Sequence, residues 1–331
     1  MKKVVLFVMM AVIGLTAFKQ DRVTTIFIIG DSTAAKKDLS SGSPERGWGM
    51  ALQCYFDDQI RVDNHAVNGR SSKSFINEGR WDKVLSLMKP GDYIIIQFGH
   101  NDQKPQPARH TDPGSTFDYN LAKFIRETRE HGGIPVVMNS VVRRNFAIEA
   151  RANADDESLR STTFADGAGQ IEGDSLIETH GLYAVAPRDV AQRMNAHFVD
   201  ATAITRQLEQ GLGVEASKKL HMWFKPGEHP ALPDGRQDNT HYNIYGAHVV
   251  ASLLADALCQ EIPLLAKFRV NYDISVDRQG RGDYMELQPA IDAAPKGKET
   301  TIQILGGQWQ KPVVPKGKKI HFVLREGATW Q

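Results

Sequence analysis

From Arg22 onward, short apolar runs alternate with longer segments of helical period, and this alternation limits the fold more than any other feature. Thr24 to Ile29 (TTIFII) is β-rich and ends at Gly30. Ile60 to Val67 reads as a second, weaker strand. Tyr93 to Phe98 (YIIIQF) is a third, nearly all apolar, and Ile134 to Met138 and His197 to Val199 supply two more. A strand without polar alternation is buried on both faces, as in a parallel sheet covered by helices. Trp48 to Phe56, Trp81 to Met88, Phe117 to His131, Val185 to Met194 and Asn243 to Leu258 read as those helices. In the third of them Phe117, Leu121, Phe124 and Ile125 share one face, and Gly132-Gly133 ends it. The expectation is an α/β fold of three layers around a parallel sheet.

Ligands bind such sheets beyond the carboxyl ends of the strands. There the chain carries Gly30-Asp31-Ser32-Thr33 after the first strand, Asn68-Gly69-Arg70-Ser71 after the second and Gly99-His100-Asn101-Asp102 after the third. Far downstream, before the last helix, lies Asp238-Asn239-Thr240-His241. These residue types suit acyl transfer. A serine hydroxyl attacks only when a base takes its proton, and histidine is that base near neutral pH. A carboxylate on the other ring nitrogen fixes the tautomer and stabilises the imidazolium. Asp238 and His241 are three apart, a spacing that lets one turn aim both inward. The Ser32 and Gly69 N–H groups and the Asn101 amide are candidate donors to the oxyanion. Gly30-x-Ser32 is not the G-x-S-x-G elbow of α/β-hydrolases.

GDST, NGRS, GHND and DNTH, in this order, resemble the four blocks of SGNH (GDSL-like) hydrolases. The resemblance implies a flavodoxin-like fold, with Ser32 as nucleophile and Asp238 and His241 completing the triad. It implies an oxyanion hole of Ser32, Gly69 and Asn101, and no cofactor. Thr33-Ala34 stands where the wider family has other residues, away from the chemistry. From Thr24 to Leu258 the chain is more closely similar to rhamnogalacturonan acetylesterases. That similarity runs through Thr179-His180-Gly181-Leu182-Tyr183, Ser217-Lys218-Lys219-Leu220 and Lys225-Pro226-Gly227-Glu228. It implies an acetylated pectic polysaccharide as substrate, with Arg70 a candidate contact for acidic sugar. Other acyl esters (lipid, thioester, peptidoglycan) and non-catalytic polysaccharide binding are the alternative readings.

After Pro263 the texture changes to short β-like pieces, ISV, TTIQIL and KIHFVL, between Gly- and Pro-containing turns. Val276 to Tyr284, Leu287 to Pro295 and Val313 to Ile320 resemble the opening of a pectin methylesterase, which implies a β-helix-like segment. That family's catalytic aspartates lie in coils this chain does not contain, so its activity does not carry over. The domain expectation is a signal peptide at 1–17, a hydrolase domain at 22–262 and a truncated β-helix-like fragment at 270–331.

The signal peptide rests on Met1-Lys2-Lys3 followed by an apolar run from Val4 to Ala17, shorter than a membrane span. It predicts export to the periplasm or beyond, without a stable membrane anchor. A net charge of +1 provides no field to draw the chain to nucleic acid. Neither metal-ligand spacing nor a phosphate loop is present. The two cysteines, Cys54 and Cys259, sit in apolar helical patterns and read as core thiols, although export would permit them to pair. His65, His100, His180, His221, His229 and His248 read as structural, and Trp48 and Trp223 as packing residues with sugar stacking the alternative.

Overall fold

A computed structural model describes residues 23–146 and 173–331. The expected signal segment lies outside the described residues. Chain order begins with β1 (Thr24–Gly30), β2 (Glu45–Arg46), α1 (Trp48–Ala51), β3 (Ile60–Asn64), α2 (Ser72–Asn77), α3 (Arg80–Leu87) and β4 (Tyr93–Gln97). It continues with α4 (Thr116–Glu130), β5 (Ile134–Met138), α5 (Leu182–Arg193), β6 (His197–Val199), α6 (Ala201–Ser217), β7 (His221–Phe224), β8 (Arg236–Asn243) and α7 (Ile244–Glu261).

The five expected strands form one parallel sheet in the order β3-β1-β4-β5-β6. Successive residues of a strand face opposite sides. Ile26 and Ile28 therefore join a core layer with Trp48, Leu52, Val250 and Leu254, while Phe27 and Ile29 pack on Phe75, Trp81, Phe117 and Phe124. Strand order reverses between β1 and β4, which opens a crevice at their carboxyl ends. β1 and β4 approach so closely that a Cβ at Gly30 would lie 2.7 Å from the Gln97 carbonyl oxygen.

Two elements differ from the sequence reading. The helix expected over 48–56 is one α turn followed by a 3-10 turn, Leu52–Tyr55. α6, seventeen residues long, is absent from that reading because Gly211 and Gly213 interrupt its apolar stripe, and Gly213 kinks it with φ 73°. A further three-stranded antiparallel sheet, β2-β8-β7, lies beside the main one and holds the DNTH segment.

The tail contributes β9 (Ile274–Val276), α8 (Leu287–Ala293), β10 (Glu299–Ile304), β11 (Gly307–Trp309), β12 (Lys319–Leu324) and β13 (Ala328–Trp330). Its strands pair in parallel as β12-β10-β9 and β11-β13, over a small core of Val276, Leu287, Ile291, Ile302, Ile304 and Trp309. Polar groups join it to the rest. The Arg325 guanidinium donates to the Phe56 carbonyl (2.6 Å) and Asp58 (2.9 Å), and Gln303 donates to the Cys54 carbonyl (2.8 Å). Cys54 and Cys259 are both free thiols, and burial pushes Cys54 up to about 12.

Candidate active site

Each polar turn is fastened to its strand by local bonds. After β1, Asp31 Oδ1 accepts from the Thr33 N–H (3.0 Å) and hydroxyl (2.8 Å), and this holds the turn that presents Ser32. The next turn is laid against it by Val67 N–H donating to the Gly30 carbonyl (3.0 Å). Gly69 has φ 73°, a left-handed conformation that glycine adopts without strain. The turn after β4 joins them when Asn101 Nδ2 donates to the Arg70 carbonyl (3.1 Å). That bond uses one of the two amide hydrogens. Among the described residues the Ser32 and Gly69 N–H groups have no acceptor.

Asp238 and His241 are placed by a device the sequence reading did not foresee. They share a turn directly ahead of α7, as expected, but it lies within β8, whose ladder with β7 jumps from His221–Tyr242 to Met222–Asp238. Asn239, Thr240 and His241 form an outsized bulge, the feature that re-aims side chains at a strand. Asp238 Oδ1 folds back to accept the Thr240 and His241 N–H groups, each at 2.9 Å. Three residues apart on a flat strand the two side chains would face opposite ways; the bulge turns them together.

The result is a continuous line. Asp238 Oδ2 lies 2.9 Å from His241 Nδ1, and His241 Nε2 lies 2.9 Å from Ser32 Oγ. A carboxylate only accepts, so Nδ1 carries the proton and Nε2 is left to accept from the serine. Burial alone would raise the Asp238 carboxyl, but His241 and Arg236 outweigh it and hold it well below the usual range. The line is nearly closed to solvent: Ser32 is 9% exposed, His241 4% and Asp238 0%.

Arg144 braces the bulge from behind. Its N–H donates to the Asn239 carbonyl (2.7 Å), and its guanidinium meets Asn239 Oδ1 (3.2 Å) and Ser217 Oγ (2.9 Å). Trp223 donates to the same Asn239 oxygen (2.8 Å), with Arg144 and Lys218 over its ring. Trp48 is fully buried in the core, its indole N–H on Gln97. Arg70 is half-exposed and pairs with Glu78 at 3.0 Å.

Two histidines read as structural from the sequence border the site. Glu178 Oε1 lies 2.5 Å from His180 Nδ1, and His180 Nε2 lies 2.9 Å from His100 Nδ1. Burial would raise Glu178, but His180 outweighs it and the carboxyl sits at about 2. His100 is pushed well below the usual histidine range by burial and by the positive charges of His180 and Arg143. Asp102 accepts from the Ser72 N–H (3.1 Å) and hydroxyl (2.5 Å), which ties the third turn to the start of α2, and burial pushes it up to about 6.

A model of the GDSL-like lipase/acylhydrolase family matches residues 28–249. A rhamnogalacturonan acetylesterase of Bacillus subtilis is 38% identical over 256 residues, which cover 77% of this chain and 96% of that relative. A rhamnogalacturonan acetylesterase of Emericella nidulans is 28% identical, covering 72% and 87%. The crystal structure of the YXIM protein of Bacillus subtilis shares the fold, with a TM-score of 0.54 at 23% identity; the match covers 72% of this chain and 56% of that one. The chain belongs to the GDSL-like lipase/acylhydrolase family and is a carboxylic ester hydrolase.

Proposed function

We infer that the chain is a serine esterase that removes acetyl groups from a pectic polysaccharide of the rhamnogalacturonan type, with Ser32, His241 and Asp238 as its triad. The observation that carries this reading is the buried line from Asp238 through His241 to Ser32, with 2.9 Å at each step. Ser32 Oγ attacks the acetyl carbonyl carbon while its proton passes to His241 Nε2. Negative charge gathers on the carbonyl oxygen and is met by the Ser32 N–H, the Gly69 N–H and the second Asn101 amide hydrogen. The imidazolium then protonates the departing sugar oxygen, and an acetyl-enzyme remains. Water, deprotonated by His241, releases acetate and restores the serine.

The substrate class is supported by the names of the relatives, two of which match along nearly their whole length. Arg70, at the rim, is the candidate partner for a uronate carboxylate, which would take the place of Glu78. The basic start and apolar run at the N-terminus support export to the periplasm or the medium. The catalytic unit is residues 22–262, and 270–331 form a β-helix-like appendage.

Acetate release from acetylated rhamnogalacturonan tests the reading. The wild type should release acetate and label with a fluorophosphonate; Ser32→Ala should do neither while melting as the wild type does. Turnover retained in Ser32→Ala would overturn the nucleophile. Faster cleavage of long-chain acyl esters than of acetylated pectin would overturn the substrate.

A further inference from the structure

Four charged side chains run from the triad's carboxylate back to the nucleophile's own turn. Asp238 Oδ2 lies 2.6 Å from Arg236, Arg236 lies 3.0 Å from Glu45 Oε2, and Glu45 Oε1 lies 2.8 Å from Lys37 Nζ. Lys37 Nζ then donates to the Ser32 carbonyl (2.6 Å) and to Asn68 Oδ1 (2.8 Å), the residue before Gly69. The side chains of Lys37, Glu45 and Arg236 are only 5%, 12% and 13% exposed. Burying ionised groups is costly, and apolar replacements of such pairs are often as stable, so packing alone does not account for the chain.

We propose that Glu45 is a positioning residue that acts on His241 as a second carboxylate, that Lys37 opposes it, and that this pair sets the pH at which the imidazole works as a base. The proposal rests on the Ser32–His241–Asp238 reading above.

Arg236, hard against Asp238, weakens the negative field that stabilises the imidazolium. Glu45, on the far side of Arg236, restores part of it. Lys37, on the far side of Glu45, limits that restoration and pins the two turns that bear Ser32 and Gly69. Glu45 lies within the field of His241: burial would raise its carboxyl, but Lys37, His241 and Arg236 together hold it at about 2. What the imidazolium does for Glu45, Glu45 does for the imidazolium. Among the described residues, Asp31 from the turn after β1 and His100 from the turn after β4 also face His241. Arg143, from the loop after β5, acts on both of them. These stay in place when Glu45 or Lys37 is changed, so their contribution cancels in the comparison.

The test is kcat/KM against pH with an aryl acetate, for the wild type, Glu45→Gln and Lys37→Met, each checked by thermal melt. The acid limb reports loss of the neutral imidazole. Removing the negative charge should move that limb down by about one pH unit, and removing the positive charge should move it up. Glu45→Asp should return it toward the wild-type position. Unmoved limbs, or shifts of the same sign in both variants, would overturn the proposal, because loosened packing has no reason to act with opposite signs. Should Glu45→Gln not fold, the sign for Lys37→Met decides: an upward shift supports the proposal and any other result overturns it. Ser32→Ala separates the two levels. Turnover in that variant defeats the serine reading itself, whereas a dead Ser32→Ala beside unmoved limbs defeats only the role of Glu45 and Lys37.

Discussion

The reacting atoms are held by bonds that each involve one or two residues, so the sharpest expectations concern single side chains. Gly69 is the clearest case. Its φ of 73° would cost an L-residue about 1–2 kcal/mol, and the turn that aims its N–H would relax to escape the strain. In the proposed mechanism, where Gly69 donates to the oxyanion, Gly69→Ala should therefore lower stability by about that amount and lower kcat by about a hundredfold, since losing one such donor costs about 3 kcal/mol. KM should change little, because the donor acts on charge that develops only in the transition state. Steady-state kinetics with an aryl acetate, beside a denaturant titration, would check both. A fall confined to KM would mean that Gly69 contacts ground-state substrate instead.

At the scale of elements, the bulge in β8 decides whether Asp238 and His241 face the same way. Arg144 is 1% exposed, and its guanidinium ties the Asn239 side chain of that bulge to Ser217 at the end of α6. Arg144→Met should keep the packing on Phe146 and Trp223 but lose these charged bonds, at a cost of about 2 kcal/mol. A displacement of about 1 Å in a catalytic group costs on the order of a hundredfold in rate, so kcat should fall well beyond what the stability change explains. Rates measured on fully folded protein, below the melting transition, would separate the two effects. An Arg144→Met enzyme with wild-type kcat would mean that the bulge holds its shape unaided.

For the whole molecule, the tail and the acid response are the informative properties. Arg325 is 6% exposed and reaches across to Phe56 and Asp58, so Arg325→Met should remove these charged bonds from the joint between tail and hydrolase. A loss of about 2 kcal/mol would lower Tm by about 4–8 °C in a domain of roughly 150–250 residues and by less in a chain this long. Calorimetry should show a broadened or split transition, and an unchanged melt would show that the remaining contacts suffice. The acid response follows from Glu45 and Glu178, both of which burial would raise and whose cationic neighbours hold at about 2 against an ordinary 4.5. A carboxyl depressed by folding stabilises the protein above its unfolded value, and that contribution is lost as pH falls through the folded one. Tm should thus decline steeply between pH 4.5 and 2. Glu178→Gln should flatten the decline; an identical slope would remove Glu178 from the account.

The parallel sheet and the placing of Ser32, Gly69 and Asn101 at its carboxyl edge were legible in the sequence, because strand periodicity and turn chemistry are local and repeat within a few residues. The core partners Ile26, Phe27, Ile94 and Phe124 follow from the same periodicity. The helix α6 was not legible, since its glycines hide a stripe that only packing against β7 and α7 completes. Nor were the bulge that turns Asp238 and His241 together, the bracing by Arg144, or the run of charges from Arg236 through Glu45 to Lys37. Each of these depends on residues tens to hundreds of positions apart. A side chain's partner across such a distance is decided by how sheets and helices stack, and no pattern along the chain records it.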